Sequence, residues 1–401
     1  MSLARYQPAS YSYDDAAHLW RRAGFGADRA TVQATQKQGP VAAAAALIDG
    51  PKNDEAAEDL EFVYQSVLGA NDADGARAWI LLRMLQSGHP AREKIALFWH
   101  GHFATSLKKV RHLGWMLRQY RLFLDHGLGR FPVLLDAVAK DPAMIRWLDN
   151  ETNRKGQANE NYAREVFELF TLGDGNYTEK DITEAARAFT GWHILRERFH
   201  FAKSLHDKGE KTVLGQTGNF GGEDIQRIAL EQPACARFLA AKLLRFYVQP
   251  DPSDASVEAV AKTLRESGYD IGATLKVVLS SELFYSDASR RSIVKSPIDF
   301  VVGAARALEI EEPPVKQAVP LLRAMGQDLL APPNVKGWPG HRSWINTATW
   351  LVRVRAAHRI GRASGIKRVD AAAQALIGRS LEGDAPSDVY ALLAAPEVHL
   401  L

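Results

Sequence analysis

ACARFLAAKLLRFYV (residues 234–248), SVEAVAKTLRESG (256–268), IGATLKVVLSSELFY (271–285), SPIDFVVGAARALEI (296–310) and VKQAVPLLRAM (315–325) follow one another with few residues between them. In each, apolar side chains recur three or four positions apart, the spacing of one face of an α-helix. Working outward, the same period marks Asp14–Ala23, EFVYQSVL (61–68), Ala76–Leu85, Ala91–Trp99, Leu113–Leu124, Pro132–Val138, Ala143–Leu148 and Asn159–Phe170. PVAAAAALIDG (40–50) has Pro at its start and Gly at its end, the expected asymmetry of a helix. TEKDITEAARAF (178–189) carries acids early, where the helix dipole favours them.

The pattern breaks after Gly191. Glycines and alternating pieces such as RFHFA (198–202) and KTVLG (211–215) predict a small β-hairpin excursion around residues 193–220. An insertion of that length serves as a lid or binding loop, or is a plain surface excursion. A second non-helical stretch, LLAPPNVKGWPGHRSWIN (329–346), precedes two closing helical runs. The expected fold is mainly α, a multi-helix globular array. It forms one large domain over 1–401, or two lobes (1–190 and 223–401) joined by the 191–222 excursion.

Composition sets bounds. The 401 residues are 46% hydrophobic and 24% charged, with a formal charge of +3. Both signs are interspersed, so charge gives no argument for a nucleic-acid partner. The short basic cluster Lys108, Lys109 and Arg111 reads as a solvated helix start. The single cysteine, Cys235, can form no intramolecular disulfide and reads as a small core residue. No stretch is apolar for the ~18 residues of a membrane span. The opening MSLARYQPASYSYDDAAHLW has no apolar signal region, so the chain as written is expected in the cytoplasm. There is no P-loop, no GxGxxG after a strand and no GxSxG elbow.

Chemistry concentrates in LDNETNRKGQANENYAREVFELFTLGDGNYT (148–178). Its first part is an amide-rich loop with Asn150, Asn153, Arg154 and Lys155. In its second part, at 100° per residue, Gln157, Asn161, Arg164, Glu165 and Glu168 share one arc, while Tyr162, Val166, Phe167, Leu169 and Phe170 face the core. Glu160, Arg164 and Glu168, spaced i,i+4, also make an ordinary solvated face. Asn153, Asn159 and Asn161 are poor helix formers whose amides suit hydroxyls or carbonyls of a ligand. Glu165 and Glu168 can divide acid and base roles or hold a divalent metal. Arg154, Lys155 and Arg164 suit an anion.

His100 and His102 in WHGHF become a metal pair if the helix ends at Gly101, and packing histidines if it does not. His206, with Asp207 and Lys211 close by, completes a site if the excursion folds over the Asn159 helix. In the 329–346 loop, Trp338 and Trp344 either cap the core or offer flat faces to a sugar, beside Asn334, Lys336 and Asn346.

Five segments in order, HLWRRAGFG (18–26), REKIALFWHGHFATS (92–106), residues 148–192, HDKGEKTVLG (206–215) and MGQDLLAPPNVKGWPGHRSWIN (325–346), resemble the bacterial family called domain of unknown function 1800. The resemblance implies a mainly helical protein, often exported and often encoded beside a sulfatase-like protein. It carries over no catalytic residues. Two functional expectations follow. One is an enzyme acting on a polar, glycan-like or anionic substrate, with Glu165, Glu168 and His206 catalytic. The other is a non-catalytic accessory that binds a sulfatase-like protein or a surface polymer. A third reading makes the amides purely structural, tying loops to helices.

Overall fold

The helix Pro90–His102 has almost no solvent face: Ile95, Ala96, Leu97, Phe98 and Trp99 are buried together with Glu93, Lys94, His100 and His102. A helix enclosed all round must lie inside the core, with its polar groups satisfied by neighbours. Glu93 accepts from Arg83 at 2.6 Å, and Lys94 pairs with the buried Asp299. In this computed structural model the described residues are 3–310, 313–365, 373, 376–377 and 389–401. The second of the two closing helical runs falls largely outside them.

The helices expected from periodicity are present, with ends moved by a few residues, and the chain is mainly α with small β-hairpins. Leu113–His126 packs on the central helix, and Glu55–Ala70 pairs with Ala73–Gln86. From the second half, Pro297–Ala307 and Val315–Ala324 pack against Ala73–Gln86, while Ile271–Leu279 packs on Pro40–Asp49. Pro233–Tyr247 lies beside Asp254–Glu266. One apolar cluster runs through both halves of the chain, from Tyr11 to Val398.

The excursion holds two separate antiparallel hairpins, Trp192–Leu195 with Arg198–Phe201 and Lys211–Val213 with Gln216–Gly218. Both two-residue turns, Arg196-Glu197 and Leu214-Gly215, have positive φ at each position. That is the primed turn that matches the twist of paired strands.

Two local departures from the periodic reading bear on the site. The helix expected from Asn159 begins at Asn161, because the Asn159 side chain accepts the Asn161 amide at 3.0 Å. After Glu165 it loosens into a π-helical stretch, Val166–Thr171, which changes the angular spacing of Glu165 and Glu168. The other concerns WHGHF, where the helix does not end at Gly101 but runs through His102.

Candidate functional site

The amide-rich loop is knitted to its surroundings. Asn153 is fully buried; its amide donates to the Ala186 carbonyl at 2.9 Å and to Asn150 at 3.2 Å, and its oxygen accepts the Asn159 amide at 2.9 Å. Asn159 donates to Thr152 at 3.2 Å, and Asn161 reaches Asp149 at 3.4 Å. Arg154 is exposed and bound to Gln157. Lys155 is exposed, and its backbone amide bonds to the Leu205 carbonyl. Arg164 clasps Glu179 at 2.7 and 2.9 Å. A wide, shallow concavity of about 740 Å³ lies here, lined by Arg154, Asn159, Glu160 and His193. Most of its polar groups already hold one another.

The excursion folds onto the same loop and onto Glu179–Ala188. His206 bonds the Thr190 carbonyl at 2.9 Å, and Asp207 takes Arg187 at 2.9 Å. Lys211 is buried, its ammonium donating to the carbonyls of Asp207 and Gly209. These groups close a structural corner.

His100 and His102 go to separate partners. His100 Nε2 accepts the Leu330 amide at 3.0 Å, and burial holds its pKa down near 3. His102 Nε2 donates to the Phe170 carbonyl at 3.2 Å, so its Nδ1 is an acceptor, and it takes the Lys242 ammonium at 3.1 Å. Burial, Lys242 and the Phe170 carbonyl act on His102, with the net shift well downward. Among the described residues no three His, Cys, Asp or Glu side chains gather as a metal ligand set.

The 329–346 loop sits directly on the end of the central helix. Gly337 (φ 80°) lies so close that a Cβ there would come within 2.2 Å of the Gly101 carbonyl oxygen. That contact, which no other residue could make, seats Trp338 against His100 with rings 5.1 Å apart. The Asn334 oxygen accepts the Lys336 amide and the Asn346 oxygen caps the helix Thr347–Ser364, and neither residue lines the cleft that opens beside this loop.

Between this loop, the central helix, Pro233–Tyr247 and the start of Pro297–Ala307 opens a cleft of about 340 Å³. Phe98, Phe246, Trp338 and Trp344 give it apolar walls, and Lys94, Lys242, Arg245, Lys336 and His341 line it with cations or proton donors. Lys94 is neutralised by Asp299. Lys242 is not: its bonds go to His102 Nδ1 and the Leu169 carbonyl, both neutral. Burial, with Arg245 nearby, pushes its pKa down to about 8. Among the described residues Arg245 makes no ion pair. Trp338 Nε1 and His341 Nδ1 are buried without a partner among those residues.

The ground behind the cleft is also cationic. Arg22, Lys94, Lys295 and Arg353 are buried, and Asp299 is the carboxylate that acts on all four. Burial, with Arg21 adding to it, pushes Lys295 down to about 7. Arg22 keeps Nε and Nη1 unpartnered, and Arg353 its Nε.

Glu165 and Glu168 adjoin the rim. Glu168 lies 3.6 Å from Lys336 and accepts from Tyr177 at 3.4 Å. Glu165 is partly buried with one oxygen unpartnered; burial and the Glu168 charge raise its pKa, against Lys336 and Arg164. Of the residues expected from sequence, the cleft therefore joins His102, Lys336, Trp338 and Trp344, with Glu168 and Glu165 alongside. Lys242, Arg245, His341, Arg22, Lys295 and Arg353 were missed. A signal existed for Lys242: with Phe238 and Phe246 at i−4 and i+4, it shares a helix face with two aromatic rings.

The family model described as "Protein of unknown function (DUF1800)" matches residues 18–399. The chain belongs to that family. The match takes in every residue that lines the cleft except Leu401. No curated protein and no solved structure matches the chain. Among the described residues no helix is long and apolar enough to cross a membrane.

Proposed function

We propose that the cleft binds a polar, anionic ligand with a carbon skeleton flat or compact enough to lie against its aromatic walls. The observation that carries this reading is Lys242, a largely enclosed amine with no carboxylate partner among the described residues. A charge kept out of water without a partner is costly, and a bound anion would offset that cost. Arg245 and Lys336 add charge at the mouth, the unpartnered Trp338 N–H adds a directed donor, and the unpartnered His341 Nδ1 adds a further polar group. The volume is that of a small-molecule site.

The phosphorylated or sulfated end of a glycan has this chemistry. In the enzymatic form of the proposal Glu165, its pKa raised, is the proton donor, and Glu168, beside Lys336, is its partner in a hydrolytic step at the rim. In the accessory form the same cleft holds the end of a surface polymer, handed to or from a sulfatase-like partner outside the cytoplasm. The test is thermal unfolding in inorganic phosphate, inorganic sulfate and phosphorylated or sulfated sugars, each against chloride at equal ionic strength. A ligand that binds only the native state raises the melting temperature by mass action. The expected result is a rise with at least one of these anions that Lys242→Met abolishes. No rise with any of them, or an equal rise in the variant, would sink the reading. Turnover of a bound sugar that Glu165→Gln removes would select the enzymatic form.

A further inference from the structure

We propose that Lys242 captures an anionic carbonyl compound covalently, as an imine, inside the cleft. This rests on the anion-binding reading of the same cleft and adds a reaction to it. The argument begins with hydrogen-bond direction. Both hydrogen-bond partners of Nζ, His102 Nδ1 at 3.1 Å and the Leu169 carbonyl at 3.2 Å, are acceptors, and the Phe238 ring lies 4.9 Å from it. His102 is fixed as an acceptor because its other nitrogen donates to the Phe170 carbonyl. A neutral amine has two N–H bonds and one lone pair. The two acceptors take the two N–H bonds, which leaves the lone pair for the cavity that Lys242 lines.

The other lysines of the cleft are arranged differently. Burial lowers the Lys94 pKa too, but its partner Asp299 works against that shift, and Lys336 is exposed beside Glu168. With its pKa near 8, Lys242 carries the free amine in about a tenth of molecules at pH 7, against well under a thousandth for a solvated lysine. Desolvation of this kind is a known way to activate a lysine nucleophile. Arg245 and Lys336 would hold the anionic group, while Phe246 and Trp344 cover the carbon frame.

The reaction balances without an oxidant. The Nζ lone pair attacks the carbonyl carbon and a C–N bond forms. The carbonyl π pair moves to oxygen, which takes a proton from nitrogen to give the carbinolamine. That hydroxyl then leaves as water with the second nitrogen proton, and the C=N bond forms.

Pyridoxal 5′-phosphate serves as the probe, since it carries an aldehyde and a phosphate on a flat ring. The full chain is incubated with it, reduced with borohydride, digested and mapped by mass spectrometry. Lys242 is expected to be labelled at least tenfold faster than Lys155 or Lys336, and excess inorganic phosphate to slow it. Lys242→Arg should keep the thermal shift given by phosphate and lose the adduct. If phosphate shifts the melting temperature but Lys242 reacts no faster than Lys336, imine formation is overturned and anion binding stands. If phosphate gives no shift and Lys242 no adduct, both fall. The wild-type map decides even if the variant does not fold.

Discussion

The buried side chain of Asn153 and the cleft around Lys242 are both polar, yet their bonding is opposite, although Asn150 Nδ2 beside Asn153 is also without a partner among the described residues. At Asn153 both side-chain atoms are used, on the Ala186 carbonyl, the Asn150 side chain and the Asn159 amide. At the cleft the donors outnumber the acceptors: Lys242 faces only neutral groups, and Trp338 and His341 keep unpartnered N–H or ring nitrogens. A satisfied network rigidifies a fold. An unsatisfied one is kept at a cost in stability, as sites often are. Density of polar residues is therefore a poor guide to a site, and the surplus of unpartnered groups a better one.

The largest expected effect tests the first half of that contrast. Asn153→Ala strands the Asn159 amide and the Ala186 carbonyl in the interior and should cost roughly 3 kcal/mol. Denaturant unfolding measures it. A loss under 1 kcal/mol would mean that the loop is not held as described, and would return its amides to the pool of ligand groups.

Lys242→Met reverses the sign. Replacing an uncompensated enclosed charge by an apolar chain of similar length relieves its desolvation but strands His102 Nδ1 and the Leu169 carbonyl, so stability should stay unchanged or rise by about 1 kcal/mol. Binding of the anion that shifts the wild type should be lost at least tenfold. A strongly destabilised variant would make Lys242 structural and erase the difference between the two regions.

The same amine predicts a pH dependence. Unfolded, it keeps its proton to about pH 10.4. Folded, buried and beside Arg245, it gives the proton up near 8. Between those values the unfolded chain binds more protons, so native stability rises with pH across that window, by up to about 3 kcal/mol; below pH 8 the penalty is complete. Lys242→Met should lack this rise. Anion affinity moves the other way, since the ligand needs the ammonium, and should weaken as pH passes 8. Urea midpoints and phosphate titrations at pH 7, 8, 9 and 10 would separate the two trends.

Helix positions were legible because apolar period is a property of local sequence. For the central helix the apolar period reaches only Trp99, and Gly101 leaves its end open in the sequence. Here burial on all sides and the fit of Gly337 against Gly101 hold it helical through His102. The carboxylates Glu165 and Glu168 stood out in the sequence, and so did the loop with Trp338. Lys242 did not, since a lysine in LAAKLLRF reads as solvated until the aromatic face it shares is noticed. Arg22, Lys295 and Arg353 were invisible for a plainer reason: only the fold brings residues so far apart in the chain around Asp299.

The smallest expected effects set one exposed cation of each region against the other. Lys336→Ala removes a rim charge 71% exposed in its side chain, only 3.6 Å from Glu168. Solvent screens it, and Glu168 already offsets part of its field, so anion affinity should fall only roughly threefold. Arg154→Ala removes a charge of the same sign from the shallow concavity, where it is tied to Gln157. It should leave affinity unchanged and stability within about 0.5 kcal/mol. Both changes lower net charge equally, so a long-range field acting on the ligand would weaken binding in both. A drop in Lys336→Ala alone places the ligand at the Lys242 cleft. A drop in Arg154→Ala alone moves it to the amide loop, where the sequence by itself first pointed.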